Sequence, residues 1–441
     1  MKTAATGNDG KTGAGLVVLL GLAHFVGYAD RAIPAVFAPG LKATFGLSDG
    51  QLGALQGAPF VLSYVLATLW AGRQTARPLR PGPHVGVCIL IWTAAAVAFA
   101  LAPNYPTLLG ARMVFGVGQA AFAPVALAML ANAGPIARMQ PVGVFTAGSA
   151  MGRSGGMLLG GLVLGMAAAS GLATQIEPWR IAALMMLVPN LILAVSFLAR
   201  RTTGPAPVAT GGGVVEAMRW AGLRPLTLGL YMIAACAMIM MVQSLAAWSP
   251  SIIGRQFGMG PGPAAVLVGA VTLVAAPAGH LLAGRGATGR RFMARGPGLA
   301  LGLGAVMAIP AVIGLSLAPT PALAAVCLVV LILASGFGAA MALIGLQGLV
   351  PGPLQRGTNS LYLVLVTVFG TAAGPMITGM VSDRIAANGL ALSLALAIVI
   401  TGAALVVIVA ALVGTSGWRR LAADIRAGTA ASGDPKTIAV R

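Results

Sequence analysis

Twelve apolar runs, at about 14–38, 50–72, 83–102, 106–131, 141–169, 180–199, 225–248, 262–284, 298–317, 322–345, 357–381 and 389–414, dominate this 441-residue chain. Each approaches or exceeds the ~20 residues that carry a helix across the hydrocarbon of a bilayer. Lipid offers the backbone no water to bond, so only helices and closed barrels can span it. The runs are continuous rather than alternating, which excludes a barrel. Only 8% of the residues are charged, against about 25% in soluble domains. The sequence therefore predicts an all-α membrane protein with twelve transmembrane helices.

The formal charge of +19 would suit a nucleic-acid binder, but the basic residues lie in short connections between apolar runs, so no nucleic acid is expected. With the N-terminus placed in the cytoplasm, twenty Lys and Arg fall on the inner side. Only Lys42, Arg180, Arg255 and Arg384 fall outside, and three arginines lie within runs. That bias predicts a multi-pass protein of the cell inner (plasma) membrane with both termini cytoplasmic. The first run follows Lys2 and Lys11 as a signal peptide would, yet Asp30-Arg31 interrupts it and many spans follow. It is read as an uncleaved first helix.

The segment 200–224 contains TTGPAPVATGGG, the composition of a flexible linker. It divides the chain into a cytoplasmic tail (1–13), a six-helix half (14–199), the linker (200–224), a second six-helix half (225–414) and a cytoplasmic tail (415–441). A basic loop follows the second span of each half, AGRQTARPLR and AGRGATGRR. This suggests parallel repeats with a binding site at their interface. Pro106, Pro141 and Pro225 stand where helices should start, and Ser48-Asp49-Gly50-Gln51 fits a capping box. Cys88, Cys236 and Cys327 all fall in apolar runs and are expected to be free, buried thiols.

The residues that point to function are those an apolar run should not contain. An Asp or Arg at mid-membrane costs about 2.5–3.5 kcal/mol and faces protein or water rather than lipid. Asp30 and Arg31 interrupt the first run, Arg112 the fourth and Arg153 the fifth. Asp30 and Arg112 lie at similar depths, ~12 and ~9 Å from the outer end at 1.5 Å per residue, so an ion pair is within reach. The alternative is a structural charge network that only ties helices together. His24, Tyr28 and Arg31 are spaced i, i+4, i+7 and share one face; for His24, a packing role is the better reading. Gln119 follows Arg112 by seven residues on the same face, where it lines a cavity or bonds a neighbouring helix. Arg153 adjoins Gly148, Gly152, Gly156 and Gly160, a stripe that lets another helix approach closely. It either snorkels to the surface or offers a cation to an anionic substrate. No catalytic set, P-loop or metal-ligand spacing appears. The chain is read as not an enzyme, with no cofactor and no metal.

Four stretches together resemble the major facilitator superfamily, and within it the Spinster-like transporters, over most of residues 20–385. They are GYADRAIPAVFAPGLKATFGLSDGQLGALQG, ARMVFGVGQAAFAP, AAWSPSIIGRQFGMG and RGTNSLYLVLVTVFGTAAGPMITGMVSDR. The resemblance implies a major facilitator fold of two six-helix halves working by alternating access. It implies substrates such as lysolipids or other amphipathic molecules. It also implies gating roles for the loop residues Arg77, Arg285, Asp383 and Arg384. Three positions depart from the pattern: Gln119 stands where the family has glutamate, and Ala76 and Gly284 where the loop motif has aspartate.

The sequence thus predicts a transporter for an amphipathic or anionic small molecule, acting as a monomer in the lipid bilayer. Asp30, Arg31, Arg112, Gln119 and Arg153 form its polar centre, with His24 and Tyr28 beside them. Proton or ion coupling stays open, because the familial glutamate is absent. The alternatives are an organic-anion symporter for small carboxylates and a membrane sensor that transports nothing.

Overall fold

The computed structural model describes residues 9–73, 80–132, 141–200, 214–288, 297–386 and 391–427. Helices occupy all twelve apolar runs. They are α1 (Asp9–Phe45), α2 (Asp49–Arg73), α3 (Pro81–Ala100), α4 (Tyr105–Ala120), α5 (Phe122–Asn132), α6 (Pro141–Ala169), α7 (Pro178–Met185) and α8 (Leu187–Leu198). After a short α9 (Val214–Gly222) come α10 (Pro225–Phe257), α11 (Pro261–Thr288), α12 (Pro297–Leu317) and α13 (Pro321–Gln347). The chain ends with α14 (Gln355–Leu365), α15 (Ala373–Ala386) and α16 (Leu392–Arg426). Among the described residues, ten helices are long and apolar enough to cross a membrane, and there is no strand. The two further runs hold α2 and α6.

Proline sets many of the helix starts, because its fixed φ suits the first turn and its missing N–H is not needed there. Pro141 and Pro225 are first residues of α6 and α10, and Pro106 is the second residue of α4. Asn104 caps α4 by accepting from Thr107 N at 3.0 Å, and Thr320 caps α13 by accepting from Leu323 N at 3.3 Å. The run at 357–381 is one helix with a defect: Val366–Ala372 forms a π-helical turn joining α14 to α15.

The described residues form two compact units that cut across the two sequence halves. Unit 1 comprises Met1–Ser48, Ala58–Thr210 and Ile253–Leu273; unit 2 comprises Asp49–Gly57, Gly211–Ile252 and Val274–Arg441. In unit 1 the glycine stripe of α6 lies against α1. A Cβ on Gly156 would sit 2.5 Å from the Ala29 backbone, and one on Gly152 would sit 2.8 Å from Tyr28 Cβ. The start of α11 joins this unit through Gly262, whose Cβ would meet Gly161 O at 2.9 Å.

In unit 2 the first turns of α2 pack on the π segment and α15. Gly57 is the close-approach point there, since a Cβ would reach Thr371 O at 2.6 Å. Trp248 of α10 donates to Pro375 O at 3.0 Å in the same unit. The three cysteines are free; Cys88 is buried, while Cys236 and Cys327 are only partly so.

Candidate functional site: a buried ionic cluster in unit 1

Asp30 and Arg31 are neighbours on α1, but their side chains engage different partners. Asp30 is 3% exposed, and its Oδ2 accepts from Asn190 Nδ2 at 2.9 Å. Asn190, fully buried on α8, in turn accepts from the Trp92 indole N–H of α3 at 2.7 Å. Arg112 of α4 acts on Asp30 electrostatically. Its guanidinium lies 5.3 Å from the Phe115 ring centre and 5.6 Å from that of Phe60. A small cavity opens beside the pair, lined by Asp30, Arg112, Ile33, Phe99 and Phe115 among others.

Arg31 turns to α4 and to aromatic faces. Its Nε donates to Gln119 Oε1, and Gln119 Nε2 donates to Gly27 O at 2.8 Å. The Arg31 guanidinium lies 4.2 Å from the Tyr28 ring centre, 4.7 Å from Phe60 and 5.6 Å from Tyr64. Such stacking suits a planar, weakly hydrated cation. Gln119 is therefore a clamp between α4 and α1 that accepts with one end and donates with the other. Gly27 makes the clamp fit, since a Cβ there would sit 3.2 Å from Gln119 Nε2.

Arg153 of α6 is electrostatically coupled to both Tyr28 and Arg31. The tight α1–α6 contact at Gly152 places it beside Tyr28. His24 closes the group. It shares a 2.8 Å hydrogen bond between Nδ1 and Phe145 O, stacks on the Phe145 ring at 3.8 Å and meets Tyr28 edge-on at 5.0 Å. It is a satisfied packing histidine.

The structure thus gathers His24, Tyr28, Asp30, Arg31, Arg112, Gln119 and Arg153 within unit 1, as the sequence pattern suggests. Asn190 and Trp92, the direct support of Asp30, were not singled out from the sequence. Their signal is faint: Asn190 is a neutral polar residue in the middle of an apolar run. Of the gating residues, Arg77 lies outside the described residues, as does Ala76. Arg285 lies near the end of α11 and Arg384 in the last turn of α15. Asp383 has a defined role as a remote cap. Its two carboxylate oxygens accept from the backbone N–H of Asp49 and of Gly50, each at 2.8 Å. Ser382 Oγ donates to Asp49 Oδ2 at 2.8 Å in return.

A helical membrane protein in which a buried Asp30 and Arg112 stand beside the half-buried Arg31 and Arg153 has the character of a transporter, since intramembrane charge marks substrate and ion pathways. Comparison with known proteins gives the family. The model of the Major Facilitator Superfamily matches residues 20–360, and the chain belongs to that superfamily of transporters, which are not enzymes. A curated relative, an "MFS-type efflux pump" of Mycolicibacterium smegmatis (strain ATCC 700084 / mc(2)155), is 29% identical over 388 residues, covering 84% of each chain. A solved bacterial homologue of the human lysosomal transporter Spinster, in an inward-facing and unoccupied conformation, superposes with a TM-score of 0.76 at 24% identity. That match covers 94% of this chain and 98% of the other. The same homologue in an occupied conformation gives a TM-score of 0.73 at 23% identity, over 96% and 99% of the two chains.

Proposed function

We propose that this multi-pass transporter moves an amphipathic organic anion of the lysolipid class by alternating access, with both termini in the cytoplasm. The observation that carries the reading is the cationic surplus of the unit 1 cluster: Arg31, Arg112 and Arg153 against Asp30. In a low-dielectric site such a surplus favours an anion strongly. The aromatic faces of Tyr28, Phe60 and Tyr64 around Arg31 suit a ligand with an apolar body beside its charge. The relative known as an efflux pump supports transport of a small molecule. In this reading Arg153 and Arg31 receive the anionic group, Asp30 is the counter-charge that Arg112 and Asn190 hold, and Gln119 fixes Arg31 without titrating.

The test is thermal stabilisation of the purified protein by an anionic lysolipid, a neutral monoacylglycerol and a small carboxylate, followed by flux in proteoliposomes. Ligand binding raises apparent stability by mass action. The anionic lysolipid should stabilise the wild type and should lose that effect in Arg153→Ala. Equal stabilisation by the neutral lipid would defeat the assignment. Displacement by the small carboxylate would replace it with an organic-anion symporter.

A further inference from the structure

A second polar site lies in unit 2 and shares no residue with the Asp30 cluster. Where α9 gives way to α10, Arg224, Thr227, Gly417, Arg420, Leu421 and Asp424 line a cavity open to one side. The Arg224 guanidinium lies 4.7 Å from the centre of the Trp220 ring. Among the described residues, its buried Nη1 has no hydrogen-bond partner, and neither has Trp220 Nε1. A buried guanidinium nitrogen left unbonded costs free energy unless something accepts its proton. Burial holds Arg224, one residue ahead of the span, below the usual arginine range, and Asp424 acts in the opposite direction.

The depth of the cavity narrows the choice of acceptor. Helix α16 runs 35 residues, Leu392–Arg426, or ~52 Å at 1.5 Å per residue. About twenty residues suffice to cross the hydrocarbon, so Gly417–Asp424 emerge at the level of the headgroups. Trp418, fully buried in the same stretch, donates to Thr227 O at 2.7 Å and fixes the end of α16 against the start of α10. The segments around the cavity carry Arg219, Arg224, Arg419, Arg420 and Arg426 against Glu216 and Asp424. Basic pockets at this level recognise anionic headgroups.

We infer that the Arg224–Arg420 cavity is a binding site for the phosphate of an anionic glycerophospholipid of the inner leaflet. Arg224 Nη1 and Arg420 donate to the phosphate oxygens. Asp424 repels any anion, so only a phosphate that accepts from both arginines at once is held well.

The experiment is native mass spectrometry and thermal shift on the full chain in a neutral detergent. The probes are phosphatidylglycerol, phosphatidylcholine and inorganic phosphate. Phosphatidylglycerol should be retained and should stabilise the wild type, with neither effect from phosphatidylcholine. Arg224→Gln/Arg420→Gln should weaken retention at least about tenfold, since charge-assisted bonds to phosphate are the strong ones. Asp424→Asn should strengthen it a few-fold, a gain that misfolding does not produce. Retention unchanged in the double variant, or equal retention of phosphatidylcholine, would overturn the inference. So would inorganic phosphate alone reproducing the full shift, because the anion then has a soluble source. None of these readouts depends on transport or on Arg31 and Arg153, so the substrate reading stands or falls separately.

Discussion

In unit 1 an aspartate and three arginines lie deep in the spans of α1, α4 and α6. In unit 2, among the described residues, every Asp, Glu, Lys and Arg lies near a helix end. Its other side-chain polar contacts are neutral, among them Gln243 Nε2 to Thr371 Oγ1 at 2.9 Å, Gln347 Nε2 to Asn359 Oδ1 at 2.7 Å, and Tyr231 OH to Ala342 O at 2.6 Å. Unit 2 also holds the π-helical turn, a feature that often marks a functional site or a deformable one. Charges act over distance in a low dielectric, while amides and hydroxyls act only in contact and only in the right direction. The difference teaches a division of labour: on the proposed reading, unit 1 selects for charge and unit 2 for shape.

The largest effect that would break this comparison is steric. Gly152→Leu drives a side chain into the Phe25 backbone and the Tyr28 Cβ of α1. Overpacking of this kind costs about 1–3 kcal/mol or more. It should remove both the folded monodisperse species in size-exclusion chromatography and all flux. Next comes Asn190→Leu, which strands the Asp30 carboxylate and the Trp92 indole. Leaving buried partners unpaired costs about 1–3 kcal/mol, more beside a charge. The matching change in unit 2, Gln347→Leu, leaves only the half-buried Asn359 amide and should cost about 0.5–1.5 kcal/mol. Equal losses of melting temperature in the two variants would erase the contrast between ionic and neutral support.

A smaller effect sharpens the division directly. Arg31→Gln should weaken an anionic ligand about tenfold, ~1.4 kcal/mol, and leave its neutral analogue nearly untouched. Gln243→Ala should weaken both alike. Isothermal titration with the paired ligands reads this, and a Gln243 effect confined to the anion would contradict it. The smallest expected change is in coupling. Gln119 cannot titrate, and among the described residues Asp30 is the carboxylate of the cluster. Wild-type flux should therefore depend little on an imposed pH gradient, and Gln119→Glu should increase that dependence. Strong proton-driven accumulation by the wild type, lost in Asp30→Asn, would move the coupling to Asp30.

Much of the ionic cluster was legible because charge in an apolar run has no bland neighbours to hide among. Asp30, Arg31, Arg112 and Arg153 stand out by chemistry alone, and the four-residue glycine spacing of α6 signalled a close helix contact, whose partner, α1, only the structure supplies. Asn190 did not stand out. Its importance comes from a tertiary meeting with a residue 160 positions away, which no local pattern encodes. The π turn was equally silent, since no residue type demands it and neighbouring helices hold it in place. Helix ends were read from hydropathy and so fell short. α16 continues past the apolar run that stops near 414, because Trp418 and Leu421 still find buried contacts. For the same reason α9 forms inside the expected linker, where Ala217 and Trp220 are buried.

The remote cap on α2 has a further consequence. The first amides of a helix have no acceptor within it, and those of Asp49 and Gly50 are held by Asp383, a residue more than 330 positions later. Their protons are shielded only while that carboxylate stays in place. Hydrogen exchange at these two positions is thus a built-in gauge: slow while α15 and the head of α2 stay together, fast on each excursion that parts them. The unmodified chain carries its own reporter of opening, readable without an attached probe.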